Sequence, residues 1–269
     1  MQLRPSRVLR ELRAGQNATI LKLNLNDPRI IELAGLAGAS SVWLCNEHVP
    51  NHWLNLEHQI RAAKLYDVDT IVRVSKGSYS EYVKPFECDA TGIMVPHVTS
   101  ADEVRHIVDM VRCRPLGSKA LDGGNMDGYF CQAPLADYVQ HCNTEKFVIL
   151  QIESPEALEN IEAIAAVPGY DMLMFGAGDF SHRVGKLGQV KDPEIVAARR
   201  KVAATALKHG KHVAVASLFG NKEEVIAEGT RVFTLGADVI EVGNAFRHMV
   251  TFFHGAAQPA TGDSPYRAK

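Results

Sequence analysis

The sequence predicts a single (β/α)8 TIM barrel, an α/β fold with eight parallel strands. Three observations carry this prediction. Short apolar runs rich in Val, Ile, Leu and Met alternate with stretches of helical periodicity, as in β/α units whose strands are covered on both faces. The runs number eight. The 269 residues then give about 34 per unit, the size of such a barrel. An open doubly wound sheet is the other arrangement for this rhythm. It is disfavoured because no strand–Gly-x-Gly-x-x-Gly–helix unit stands near the start.

The elements follow in order. Ala18–Leu25 reads as the first strand, and Pro28–Gly38 as a helix with apolar residues at helical spacing. Ser41–Cys45, Thr70–Val74 and Gly92–Pro96 read as the next three strands. Ser100–Val111 opens as a helix on the capping box Ser100-x-x-Glu103. The stretch Val98 to Lys146 is longer than one unit needs and contains the glycine-rich loop Leu116–Tyr129, which has no Gly-Lys-Ser/Thr of a phosphate loop. Phe147–Glu153 is the fifth strand. The helix Ser154–Val167 begins Ser-Pro-Glu, with proline in the first turn. Asp171–Gly176, His212–Ser217 and Val239–Asn244 complete the strands, and Asp192–His209 and Asn221–Leu235 the helices. One domain spans residues 1–269, with a polar tail from about Gly255 to Lys269.

Composition removes several function classes. Hydrophobic residues make up 46% and charged residues 22%, which supports a packed core rather than a disordered chain. The formal net charge is −2, and without a basic tract nucleic acid is not an expected partner. No apolar run reaches the ~18 residues of a membrane span, and the basic first 16 residues lack a signal peptide's apolar stretch. Five scattered cysteines, an odd number with no Cys-x-x-Cys pair, fit a reducing cytoplasm.

In such a barrel the chemistry gathers where strands end. Strand five ends Gln151-Ile152-Glu153 and strand six Gly176-Ala177-Gly178-Asp179, so Glu153 and Asp179 lie one unit apart at one mouth. Two carboxylates there repel unless a hard cation such as magnesium joins them; alternatively Asp179 caps the next helix and Glu153 is solvated. Arg73, set between Val72 and Val74, either binds a substrate carboxylate through its guanidinium fork or forms an ion pair, with Glu87 as candidate. His48, just past strand two, is either a general acid/base or a loop anchor. The other histidines, His97 among them, show no arrangement that points to ligation. Gly176-Ala177-Gly178 either lets backbone N–H groups approach a ligand or forms a tight turn.

The chain resembles the HpcH/HpaI aldolase family of metal-dependent pyruvate aldolases. The segments that carry the likeness run in family order: Asn46-Glu47-His48-Val49-Pro50-Asn51, Val72-Arg73-Val74, Met94-Val95-Pro96 with Ala101-Asp102-Glu103, Leu150 to Ala157, and Gly176 to Ser181. The resemblance implies reversible cleavage of a 2-oxo-4-hydroxy acid to pyruvate and an aldehyde. It implies Mg²⁺, Mn²⁺ or Co²⁺ on Glu153 and Asp179, Arg73 on the pyruvyl carboxylate and keto oxygen, and Gln151 beside the keto acid. The Gly178–Asp179 backbone would contact the carboxylate, and His48 would be the acid/base residue. Ser217, with Trp53, would belong to the aldehyde side.

The resemblance also implies a homo-oligomer, a trimer or hexamer, with the last helix exchanged between subunits. The apolar residues Phe246, Met249, Val250, Phe252 and Phe253 fit such burial. This chain departs from the family pattern in places. Cys45 stands where members carry aspartate, Lys22 where they often carry tryptophan, and Glu87 where they have aspartate; the Pro-Pro-x-Gly-x-Arg-Gly segment is reduced to residues 114–120. A Schiff-base route would need a lysine at the mouth, with Lys22 and Lys119 as candidates. Other readings are a decarboxylase or acyl-CoA lyase on the same scaffold, or a non-catalytic carboxylate binder.

Overall fold

The structure, a computed structural model, describes residues 3–215 and 222–255. In chain order the elements are α1 (Arg7–Arg13), β1 (Ala18–Leu23), α2 (Pro28–Leu36), β2 (Ser41–Cys45), α3 (Trp53–Leu65), β3 (Asp69–Arg73), α4 (Tyr79–Glu87), β4 (Gly92–Val95), α5 (Ala101–Val111), α6 (Leu135–Thr144), β5 (Phe147–Ile152), α7 (Pro155–Glu159), α8 (Ile161–Ala165), β6 (Met172–Phe175), α9 (Ala177–Arg183), α10 (Pro193–Lys208), β7 (His212–Val215), α11 (Lys222–Ala227), β8 (Thr230–Ala237) and α12 (Asp238–Phe253). The strands pair in sequence order, β8 returns to β1, and every pairing is parallel. The fold is a (β/α)8 barrel.

Strand periodicity divides the core in two. Ile20, Trp43, Ile71, Met94, Phe147, Ile149, Met172, Met174, Ala214 and Val232 fill the barrel interior, and α1 closes its lower end with Val8, Leu9 and Leu12. The alternate residues, such as Val42, Val72, Ile93, Leu150 and Leu173, face the helices. Asp69 anchors the plug: its carboxylate accepts from Ser6 Oγ (2.6 Å), the Val8 N–H (2.9 Å) and Arg4 (2.7 Å). Gly92 is required by packing, because a Cβ there would lie 2.3 Å from the Phe147 ring.

Seven of the eight expected strands are present. The capping signals also hold: Ser100 accepts from the Glu103 N–H, Glu103 answers Thr99, and Ser154 caps α7. The helix expected over Ser154–Val167 is interrupted at Asn160, whose side-chain amide donates to the Thr99 carbonyl.

The eighth unit corrects the sequence reading. Val239–Asn244 is helical rather than a strand, and the helix expected over Asn221–Leu235 is only α11 followed by β8. Gly229, at φ +92°, ends α11. Thr230-Arg231-Val232-Phe233-Thr234 has the β-branched and aromatic content of a strand, whereas Val239-Ile240-Glu241-Val242 is the first turn of an amphipathic helix. Asp238 fixes this junction, accepting from the backbone N–H groups of Asn24, Leu25 and Val239. Ser217 and the tail from residue 256 lie outside the described residues.

Candidate active site

The inward parity of the barrel sets the site. One step above the apolar layer, Ile20 gives way to Lys22, Trp43 to Cys45, Ile71 to Arg73, and Ile149 to Gln151 and then Glu153. These residues crown the C-terminal mouth. His97 follows β4, Glu47 and His48 follow β2, and Gly178 and Asp179 lie in the first turn of α9.

Glu153 is 2% exposed. Its Oε1 accepts from the His97 backbone N–H at 2.7 Å and lies 2.9 Å from His97 Nδ1. Burial pushes its carboxyl above the usual carboxylate range, and the nearby charges of Asp179 and Glu47 add to this; the hydrogen bond and charge of His97 oppose it. Its Oε2 lies under Gly176, where a Cβ would approach to 2.6 Å, so glycine there leaves that oxygen uncovered. Among the described residues Asp179 has no ion pair, and its side chain is exposed.

The mouth also carries a cation. Arg73 is buried, with its guanidinium carbon 4.7 Å from the centroid of the Trp43 ring. Its Nη2 donates to Cys45 Sγ at 3.1 Å, and its Nε lies 2.9 Å from Glu47 Oε2. The latter contact is not aligned as a hydrogen bond, and both atoms are buried without a hydrogen-bond partner. Arg73 therefore pairs with Glu47 and not with Glu87. Gln151 Oε1 and the indole N–H of Trp43 are likewise buried and unpartnered, an unusual concentration of unmet polar groups for a protein interior.

The expected residues that lie among the described ones can now be placed. Arg73, Gln151, Glu153, Gly178, Asp179 and His48 all reach the mouth. His48 sits at its rim with a side chain 65% exposed and Nε2 3.4 Å from Glu47 Oε2. Lys119 belongs elsewhere: its ammonium donates to Tyr138 OH in the connection between α5 and β5. Sequence reasoning passed over His97. It links two carboxylates, with Nε2 3.0 Å from Glu47 Oε1 and Nδ1 on Glu153. Its place directly after β4 was the available signal.

The residues present fit a divalent cation. No group of three or more His, Cys, Asp and Glu gathers into a ready cage among the described residues. Magnesium, however, commonly takes only one or two carboxylates and completes its shell with water and substrate oxygens. The uncovered Glu153 Oε2, the unpaired Asp179 and the unmet Gln151 oxygen supply such a donor set.

Comparison with known proteins gives the family. The HpcH/HpaI aldolase/citrate lyase family profile matches residues 19–245. The hydroxypyruvate/pyruvate aldolase of Pseudomonas aeruginosa is 29% identical over 99% of this chain and 100% of its own length. Among solved structures, an HpcH/HpaI aldolase from Desulfitobacterium hafniense superposes with a TM-score of 0.87 at 26% identity, covering 95% of this chain and 98% of that one. The citrate synthase SbnG gives 0.81 at 30% identity, covering 91% and 95%. The chain is an enzyme, an aldolase-type lyase, and belongs to the HpcH/HpaI aldolase/citrate lyase family.

Proposed function

We propose that the protein is a divalent-metal-dependent aldolase that reversibly cleaves a 2-oxo-4-hydroxy acid to pyruvate and an aldehyde. The observation that carries this reading is the placement of Glu153 and Asp179 at the same strand-end mouth as the buried Arg73. Carboxylates and a guanidinium at one mouth supply the two charges that a cation and a keto acid's carboxylate require.

A cation held by Glu153 and Asp179, Mg²⁺, Mn²⁺ or Co²⁺, would supply Lewis-acid polarisation of the keto group. Arg73 binds the carboxylate and faces the keto oxygen, where negative charge grows as the bond breaks. Gln151 offers its amide to the bound keto acid, and the first-turn N–H groups of Gly178 and Asp179, which have no acceptor within the helix, face the carboxylate. His48, or a water it orients, takes the proton from the C4 hydroxyl. The C3–C4 bonding pair passes to the three-carbon fragment as the aldehyde leaves, and protonation at C3 gives pyruvate. Ser217 is assigned to the aldehyde side. Five cysteines, all unpaired, fit a cytoplasmic setting, and among the described residues no helix is long and apolar enough to cross a membrane.

A panel of 2-oxo-4-hydroxy acids assayed for pyruvate release tests the reading. Cleavage of at least one member supports it, and cleavage of none contradicts it. The likeness to SbnG favours one other reading, carbon–carbon bond formation from an acyl thioester. Consumption of acetyl-CoA with a 2-oxo acid, in place of pyruvate release, would support that reading.

A further inference from the structure

Cys113, just past α5, and Cys142, in α6, meet outside the barrel mouth and form with Tyr138 a small buried cluster apart from both layers of the core. The Cys142 thiol donates a hydrogen bond to the Cys113 sulfur. The backbone holds this register from both sides. Arg112 Nη1 donates to the Cys142 carbonyl at 3.1 Å and to the Lys146 carbonyl at 2.7 Å. The Cys113 N–H donates to Asn143 Oδ1 at 3.0 Å, and Asn143 Nδ2 donates in return to the Cys113 carbonyl at 3.2 Å. The chain neighbour of each cysteine thus bonds the backbone of the other, which keeps the two sulfurs facing one another.

The surroundings activate one thiol of the pair. The hydrogen bond from Cys142 lowers the Cys113 pKa; burial opposes this, and the charges of Lys119 and Arg112 add to the lowering. Cys88, packed between strands and helices, shows the contrast, because burial pushes its thiol up to about 11. The thiolate is the form that attacks an oxidant, so Cys113 is reactive where Cys88 is inert. The reaction outlined above uses neither Cys113 nor Cys142. Burial of both sulfurs also selects the oxidant: a small hydroperoxide reaches them more easily than a bulky disulfide.

We propose that Cys113 and Cys142 are a site of reversible oxidation, which a small hydroperoxide closes to a disulfide. The Cys113 thiolate attacks the hydroxyl oxygen of the peroxide. The O–O bond breaks, its electron pair leaves on the other oxygen, and that oxygen takes up the proton the thiol released. Cys113 is then a sulfenic acid. Cys142 gives its proton to the departing hydroxyl and attacks the Cys113 sulfur; the S–O bond breaks, the S–S bond forms, and water leaves. Each sulfur has lost one electron and the peroxide has gained two. A dithiol reductant reverses the change by exchange. The cross-link ties the end of α5 to α6 and closes the segment between them, which holds the buried Lys119 and Asp127, into a covalent loop. In a reducing compartment such a bond is transient and suits sensing rather than permanent stabilisation.

The test uses full-length Cys131→Ser protein, which lacks the exposed thiol. Folded protein is treated with hydrogen peroxide, and the remaining thiols are alkylated and mapped by mass spectrometry. A linked Cys113–Cys142 peptide should appear, lighter by about 2 Da for the two hydrogens removed, and dithiothreitol should abolish it. The Cys113 thiol should be lost at least about tenfold faster than that of Cys88 in the same sample. In the same background Cys142→Ser should halt at the sulfenic acid, trapped by dimedone on Cys113; Cys142→Ala serves if Cys142→Ser does not fold. The proposal is overturned if no linked peptide forms, if it forms only in urea, if Cys113 is lost no faster than Cys88, or if dimedone does not label Cys113 in the Cys142 variant.

Discussion

His97 grips Glu153 twice through one oxygen: its backbone N–H donates to Oε1 at 2.7 Å, and its ring Nδ1 lies 2.9 Å from the same atom. The backbone at His97 is left-handed, with φ at +54°. This conformation costs free energy in most residues, and histidine tolerates it better than bulky apolar ones. The double contact fixes one carboxylate oxygen and leaves Oε2, beneath Gly176, for a ligand.

His97 is accordingly a positioning residue. His97→Ala should weaken the apparent affinity for Mn²⁺ by about 10- to 100-fold, as loss of an outer partner of a metal ligand commonly does, while kcat at saturating metal changes less. His97→Asn, which suits the same backbone, should recover part of the loss. Metal titrations of pyruvate release separate these outcomes. An unchanged metal dependence in His97→Ala would show that the contact is only structural.

Cys45 tests how the Arg73 guanidinium is held. Its sulfur accepts from Arg73 Nη2 and, at 3.4 Å, from the His48 backbone N–H, and neither contact involves the imidazole ring. In Cys45→Asp the new carboxylate would draw the guanidinium away from the substrate. The KM for the keto acid should rise about tenfold, the size of a lost charged hydrogen bond, with little movement of the pH profile. A profile that shifts while KM stays constant would instead tie position 45 to proton transfer at His48.

Most of the fold was legible because strand and helix periodicities differ and because the helix caps are local. Arg73, Gln151, Glu153 and Asp179, the residues proposed for metal and keto acid, were legible as mouth residues for the same reason, since they end or follow strong strands. The eighth unit was not. Val239-Ile240-Glu241-Val242 is apolar enough to pass for a buried strand, and the contacts of Asp238 with Asn24 and Leu25, just past β1, show that the chain has already turned. His97 and Glu47 were hidden because their meaning is a contact across three strands, which no local pattern records.

Helix α12 gives a prediction about assembly. Of its 16 residues only Asp238 is buried, while Phe246, Met249, Val250, Phe252 and Phe253 are exposed. An apolar face of this kind favours a neighbouring subunit. Light scattering should give a mass of three or six chains, and Phe246→Glu combined with Phe253→Glu should lower it. A monomer at micromolar concentration would contradict this.

Asp127 gives a prediction about stability. Burial pushes its carboxyl up to about 6 although Tyr138 OH donates to it at 2.7 Å, and its Oδ1 has no partner. The folded form thus holds a proton that the unfolded chain releases near pH 4. Stability from this group is complete below about pH 4 and is lost as pH rises through about 6, a change on the order of 2–3 kcal/mol. Asp127→Asn should flatten that part of the urea-unfolding profile between pH 4 and 6.5. A wild-type profile without this slope, or one that the substitution leaves unchanged, would contradict it.

The central claim is that Glu153 and Asp179 hold the cation on which cleavage depends. The most direct measurement is pyruvate release by EDTA-treated protein titrated with Mn²⁺, run beside Glu153→Gln. Release should vanish in EDTA while the fold persists, return saturably with Mn²⁺, and fail to return in Glu153→Gln, which keeps the side chain's size but not its charge. Full release in EDTA, together with inactivation by borohydride in the presence of pyruvate, would contradict the account and place the chemistry on a lysine.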